Sequence, residues 1–247
     1  MTVPTCYATN ATYQFQLATI PIDHSIDFAQ MLNFTLFRIP VSIHWMFWAL
    51  AAFLGGALRA QSAQDWHRVI LFMVAVFISI LIHELGHALA GIRFGASTPR
   101  IQLHGIGGLA RFRQDQLNRR QRILITLAGP GASILLAITF FVIAIALNQS
   151  GPPASYPQTL LNFFVDVMVA INVFWTIINL FPVLPLDGGQ VLRETLGSKR
   201  IRLTCIISLM TLVVLAGLLW METRSIYNMI IMAFLGSYTW NLLQQSK

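Results

Sequence analysis

Six stretches of the chain are long enough and apolar enough to cross a bilayer: Val41–Leu58, Val69–Phe94, Ile123–Leu147, Leu160–Phe181, Leu203–Met221 and Ser225–Leu243. A membrane helix needs about 17–25 such residues. The third, fifth and sixth carry neither a charge nor a histidine. Hydrocarbon offers no water to satisfy an open backbone, so runs this long and continuous predict helices. Composition agrees: charged residues are 10% of the 247, hydrophobic residues are 56% and the mean hydropathy is +0.67. A soluble domain carries roughly a quarter charged residues. The expected fold class is an all-α polytopic membrane protein with six transmembrane helices. Residues 38–247 would form the membrane domain and residues 1–37 a polar, cytoplasmic N-terminal tail.

The net charge of +7 does not point to nucleic acid, because the basic residues cluster between the apolar runs rather than in one basic domain. Of the sixteen Lys and Arg, all but Arg59, Arg68 and Arg224 fall on one side of a six-span topology. That side holds both termini and the two long even-numbered loops, and the positive-inside rule makes it cytoplasmic. Cys6 and Cys205 match neither a disulfide framework nor a cysteine-based zinc site. Residues 1–36 contain no Lys or Arg and no compact apolar core, so no secretory signal is expected. No internal repeat or low-complexity stretch is visible.

Within the second run, residues 78–91 read ISILIHELGHALAG. His83 and His87 are four apart, so a helix brings them to one face, one turn apart. Two imidazoles so placed can grip one metal ion, and Glu84 can reach a water on it. This is the H-E-x-x-H arrangement, two ligands plus a general base. Given the chain's own composition, the pattern arises by chance about once in six hundred such chains. The alternative is a polar patch packed between helices, but ionisable groups inside a membrane are costly and point by default to function. His83 lies ten residues before Arg93, which marks the cytoplasmic edge, and so about 15 Å deep.

A catalytic zinc site usually has three protein ligands. The fourth run ends on the cytoplasmic side as NLFPVLPLDGG, residues 179–189. Pro182 and Pro185 unwind the helix, and Gly188 and Gly189 permit a tight turn. Taken alone, Asp187 reads as an ordinary Asp-Gly turn. Beside the histidine pair it becomes the best third ligand. Glu194, just beyond it, is a rival carboxylate for that position.

These residues resemble the site-2 protease family of intramembrane zinc metalloproteases. HELGHALAG (83–91) is similar to its first motif, and NLFPVLPLDGG with VLR following (179–193) to its second. Three weaker stretches fit as well: IQLHGIGGLARF (101–112) is similar to the family's glycine-containing strand region, LAGPGAS (127–133) to its small-residue motif, and RIPVSIHW (38–45) to the entry to its first span. The resemblance implies a Zn2+ cofactor held by His83, His87 and Asp187, with Glu84 as base. It also implies a role for Asn179 in positioning substrate or the oxyanion. It favours a short strand or re-entrant segment near residues 100–112, where Ile101, Leu103, Gly107 and Gly108 would meet an unwound substrate by β-addition at the edge of Arg100–His104. The 247 residues leave room for neither the PDZ nor the CBS domain that many relatives append.

The implied function is an intramembrane zinc endopeptidase in a multi-pass membrane protein. It would cut a single-span membrane-protein substrate near its cytoplasmic side, in regulated intramembrane proteolysis. The expected partners are that substrate, the lipid bilayer and a regulatory membrane partner, with no nucleic acid. The rival reading is a metal-binding membrane transporter or channel, which a broken fourth span and buried polar groups would suit. Other polar residues read more plainly. Asn172 is a helix-packing amide, Gly129 and Ser133 a small-residue helix contact, and residues 119–122 (RRQR) an anchor at anionic headgroups. His44 reads as an interfacial or packing histidine, and His67 as a surface residue.

Overall fold

A computed structural model describes residues 31–105, 107–112, 116–149, 151–153 and 155–246. Most of the expected N-terminal tail, residues 1–30, lies outside the described residues. Its last part supplies a strand. The order of elements is β1 (Met31–Leu36), β2 (Ile39–His44), α1 (Trp45–Leu54), α2 (Ala63–Arg93), β3 (Arg100–His104), β4 (Gly107–Arg111), α3 (Arg119–Gln149), α4 (Tyr156–Leu180), α5 (Asp187–Leu196), α6 (Ile201–Thr223) and α7 (Ile226–Gln245). The architecture is thus mostly helical with one small sheet.

Among the described residues, four helices are long and apolar enough to cross a membrane: α2, α3, α4 and α6. They coincide with the second, third, fourth and fifth apolar runs. The sixth run forms α7, a helix of twenty residues, whose polar side chains Asn228, Thr239 and Asn241 place it outside that set. The first run departs from expectation. Val41–Leu58 is not one helix: its start is strand β2, and α1 has only ten residues. The cause is visible in Ile39–His44, where Ile39, Val41 and Ile43 are buried and alternate with less buried neighbours. β-Branched residues at period two favour a strand over a helix.

The sheet runs β1-β2-β3-β4. β1 and β2 form an antiparallel hairpin whose two-residue turn, Phe37 and Arg38, has φ of 50° and 66°. β2 pairs in parallel with β3 through Val41 and Ile101, Ser42 and Gln102, and Ile43 and Leu103. β3 pairs antiparallel with β4, with Leu103 opposite Gly108 and Ile101 opposite Ala110. The inward side chains of β2 and β3 are almost wholly removed from solvent, and pack with Phe47 of α1 and Ile80, Leu81, Leu85 and Ala88 of α2. One face of α2 therefore anchors the sheet.

The opposite end of α2 is pinned by a capping box. The Ser62 hydroxyl accepts from the Asp65 N–H at 3.2 Å, and the Asp65 carboxylate accepts from the Ser62 N–H at 3.0 Å. Against α3, α2 presents Gly86, where an added methyl would lie 2.5 Å from the Ala128 carbonyl oxygen. Small residues let two membrane helices approach this closely. His44 caps α1 by accepting from the Met46 N–H at 3.2 Å, and His67 meets the Tyr156 hydroxyl at 2.9 Å.

Candidate metal centre

α2 is regular through residues 83–87, so His83 and His87 share a face as their spacing requires. That face meets α3 and α5. His83 Nε2 lies 3.1 Å from His87 Nε2 and 3.1 Å from Asp187 Oδ2, and His87 Nε2 lies 3.4 Å from the same oxygen. Among the described residues this trio is the one group of three potential metal ligands whose donor atoms converge. His83, His87 and Asp187 are each at most 9% exposed, and Glu84 is 5% exposed.

The far nitrogens of both imidazoles are also engaged. His87 Nδ1 lies 2.8 Å from the Ile125 carbonyl oxygen, and His83 Nδ1 lies 3.1 Å from the Ser133 hydroxyl. A carbonyl can only accept, so His87 carries its proton on Nδ1 and, as a neutral imidazole, turns a lone pair of Nε2 toward the trio. Metal-bound histidines characteristically donate their other N–H in this way. With the Ser133 hydroxyl accepting from His83 Nδ1–H, two imidazole lone pairs and a carboxylate oxygen would face one point, and they would repel one another without a cation between them. The donor set therefore suits a divalent metal ion with an open coordination position.

Ser133 and the Ile125 carbonyl were not legible as histidine partners. LAGPGAS (127–133), similar to the family's small-residue motif, held the signal, but its Gly129 and Ser133 read as a helix contact. Gly129 in that stretch belongs to the site too: a side chain there would collide with the His87 ring.

Asp187 opens α5, directly after the irregular residues that follow Leu180. Here the glycines act differently from the expected tight turn. Neither Gly188 nor Gly189 has a positive φ. Both instead allow backbone to lie on backbone: a methyl at Gly188 would collide with the Leu180 carbonyl, and one at Gly189 with the Val183–Leu184 peptide. Glu194 is not in the trio. Its carboxylate accepts from Arg122 Nε at 2.9 Å, tying α5 to the start of α3 and taking Arg122 out of the expected headgroup anchor.

Glu84 lies between the trio and the sheet, within electrostatic reach of His83, His87 and Asp187. A methyl on Gly108 of β4 would lie 2.6 Å from Glu84 Oε1, and the Ala110 backbone N–H is a hydrogen-bond partner of its carboxyl. Gly107, at φ +134°, rests on the Trp175 ring. Ile101 and Leu103 are not at a binding edge. They are fully buried core residues, and β3 already has β2 on one side and β4 on the other. The expected β-addition to Arg100–His104 is therefore corrected: among the described residues, the edge beside Glu84 belongs to β4. Asn179 donates to the Trp175 carbonyl of its own helix at 3.0 Å. Asn172 packs between helices as expected, donating to the Ser79 hydroxyl at 2.8 Å.

A family model described as peptidase family M50 matches residues 71–164 and 151–220, which include all of the trio. The chain belongs to peptidase family M50. The resemblance to site-2 proteases stands with it. The chain is similar to a zinc metalloprotease of Methanocaldococcus jannaschii, 29% identical over 168 residues that cover 67% of this chain and 45% of that protein. It is also similar to stage IV sporulation protein FB of Bacillus subtilis, 25% identical over 158 residues that cover 62% of this chain and 46% of that protein. It thus spans under half the length of these two relatives. A solved site-2 protease from Methanocaldococcus jannaschii shares the fold, with a TM-score of 0.58, 22% identity, and coverage of 86% of this chain and 95% of that one. This M50 chain, with its apolar helices, is an integral multi-pass membrane protein.

Proposed function

We propose that this M50 chain is an intramembrane zinc endopeptidase that hydrolyses a peptide bond within or near the transmembrane segment of a membrane-protein substrate. The observation that carries this reading is the convergence of His83, His87 and Asp187, with both outer imidazole nitrogens engaged and Glu84 alongside at a strand edge. The three side chains would hold Zn2+. When bound, zinc supplies a Lewis acid that acidifies water and polarises a carbonyl. Glu84 takes a proton from the attacking water at its carboxylate and returns it to the departing amine nitrogen. Asn179 would support the developing oxyanion only by turning its amide away from the Trp175 carbonyl.

A substrate helix hides its peptide bonds, so it must unwind before it is cut. An extended strand exposes them. We infer that such a strand pairs with β4, whose Gly108 and Ala110 lie against Glu84. The absence of side chains at Gly107 and Gly108 lets another backbone come close. The location of Glu84 at this edge favours hydrolysis over metal transport, which needs no base beside a strand.

We infer a six-span topology in altered form, with β2 and α1 as the first crossing. Laid end to end, β2 and α1 would extend at most about 35 Å, from about 3.3 Å per strand residue and 1.5 Å per helical residue. That matches the hydrocarbon thickness of about 30 Å. β2 is paired on both sides, so its backbone is satisfied. With α7 inferred as the last crossing, the arginine distribution favours a cytoplasmic placing of both termini and of the trio's side. A single-span substrate and a regulatory membrane partner are the expected partners. The test is co-expression with a single-span membrane substrate, comparing cleavage products from wild type and Glu84→Gln by mass spectrometry. Products that vanish in the variant support the reading, and products that persist at the wild-type rate refute it.

A further inference from the structure

Neither α6 nor α7 contributes to the trio, yet each sends one buried hydroxyl into the segment that presents Asp187. The backbone of residues 181–186 shows why. Phe181 N–H donates to the Ile178 carbonyl, Val183 N–H to Phe181, and Leu186 N–H to Val183. Gln190 covers the Pro185 carbonyl with its side chain and the Leu186 carbonyl with its N–H. Pro182 and Pro185 have no N–H. Three groups find no local partner: the Pro182 carbonyl, the Leu184 N–H and the Leu184 carbonyl.

Two hydroxyls supply all three. Ser208 of α6 donates to the Pro182 carbonyl at 3.0 Å and accepts from the Leu184 N–H at 3.3 Å. The Thr239 hydroxyl of α7 lies 3.0 Å from the Leu184 carbonyl and also 3.0 Å from the Leu235 carbonyl of its own helix, so its one proton is shared between the two. Ser208, Thr239 and Leu184 are all 0% exposed. At such depth an unpaired backbone group is costly, and irregular chain persists only where protein satisfies it. The hold reaches Asp187 through close packing, because Gly189 lies directly on the Val183–Leu184 peptide.

We propose that Ser208 and Thr239 are positioning residues for Asp187: they fix the 182–186 backbone so that the carboxylate meets the two imidazoles at a metal-binding distance. This gives α6 and α7 a part in a site to which they donate no ligand. The inference rests on the reading of Asp187 as a zinc ligand.

The test measures zinc affinity of the full chain in detergent by competition with a chromophoric chelator, with the thermal midpoint recorded for each variant. Ser208→Ala and Thr239→Val should bind zinc about tenfold more weakly, the lower end of what outer partners of a metal ligand cost. Thr239→Ser, which keeps the hydroxyl, should stay within about twofold of wild type. Thr211→Val should also match wild type, because the Thr211 hydroxyl bonds within α6, to the Ile207 carbonyl. Wild-type affinity in both hydroxyl-free variants overturns the inference, as does an equal loss in Thr211→Val or Thr239→Ser. If Ser208→Ala is not recovered folded, the Thr239→Val and Thr239→Ser pair decides alone. Asp187→Asn separates the two readings. If it binds zinc like wild type, the ligand assignment and this inference both fall. If it loses zinc while the hydroxyl variants keep it, only this inference falls.

Discussion

The two halves of the candidate centre are built in opposite ways. α2 delivers two imidazoles from the interior of an unbroken helix, where a four-residue spacing alone sets them side by side. The segment 181–189 delivers one carboxylate from chain with no regular structure until Asp187 itself. On α2, helical hydrogen bonds hold the backbone, and other helices need only orient the rings. In the Pro-Gly segment, other helices must hold the backbone as well. A membrane site can thus take ligands from a rigid rod and from a bent loop, provided the loop borrows its hydrogen bonds from neighbours.

The strongest way to break this comparison is to remove the base and leave both halves intact. Glu84→Gln should lower the cleavage rate by about 10²–10⁴-fold, the usual contribution of a general base, with zinc content unchanged. Parallel cleavage and metal analyses check it, and zinc loss in step with activity would recast Glu84 as a ligand. The next test strains the loop half. Gly189→Ala drives a methyl into the Val183–Leu184 peptide and should weaken zinc binding by more than about tenfold, by chelator competition. A smaller perturbation of the rod half is Ser133→Ala, which removes the partner of His83 Nδ1 without moving α2. About tenfold weaker zinc is expected, with a smaller fall in thermal midpoint than Gly189→Ala produces. The smallest effect should come from Arg122→Gln. The Arg122–Glu194 pair is partly open to solvent, with side chains 31% and 21% exposed, so its loss should cost about 1 kcal/mol or less in unfolding measurements. Loss of zinc there would bring Glu194 back as a ligand.

The same contrast explains what could be read from the sequence. The side-by-side placing of His83 and His87 was legible because helical periodicity converts spacing into geometry. Asp187 was legible only beside them, since an Asp-Gly pair after prolines is by itself a turn. The role of Gly188 and Gly189 was not legible, because close approach involves a partner backbone that no local pattern specifies. Five of the six apolar runs became helices. The first did not, and its strand signal, the alternation of Ile39, Val41 and Ile43, was outweighed by overall hydropathy. The strand at Arg100–His104 was legible, but its central position was not. Its parallel partner β2 lies some sixty residues earlier, beyond the reach of any local reading. The Ile125 carbonyl leaves no trace at all, because every residue has a carbonyl and only the fold selects which one meets His87.

The joining of rod and loop at one cation is tested most directly by zinc K-edge X-ray absorption on the full chain in detergent, wild type beside Asp187→Asn. The wild-type shell should fit two imidazole nitrogens at about 2.0–2.1 Å and a carboxylate oxygen at about 2.0–2.2 Å. In Asp187→Asn that oxygen contribution should disappear or the metal should be lost. A variant that retains full zinc with a spectrum superimposable on the wild type would contradict the assignment of Asp187 to the centre.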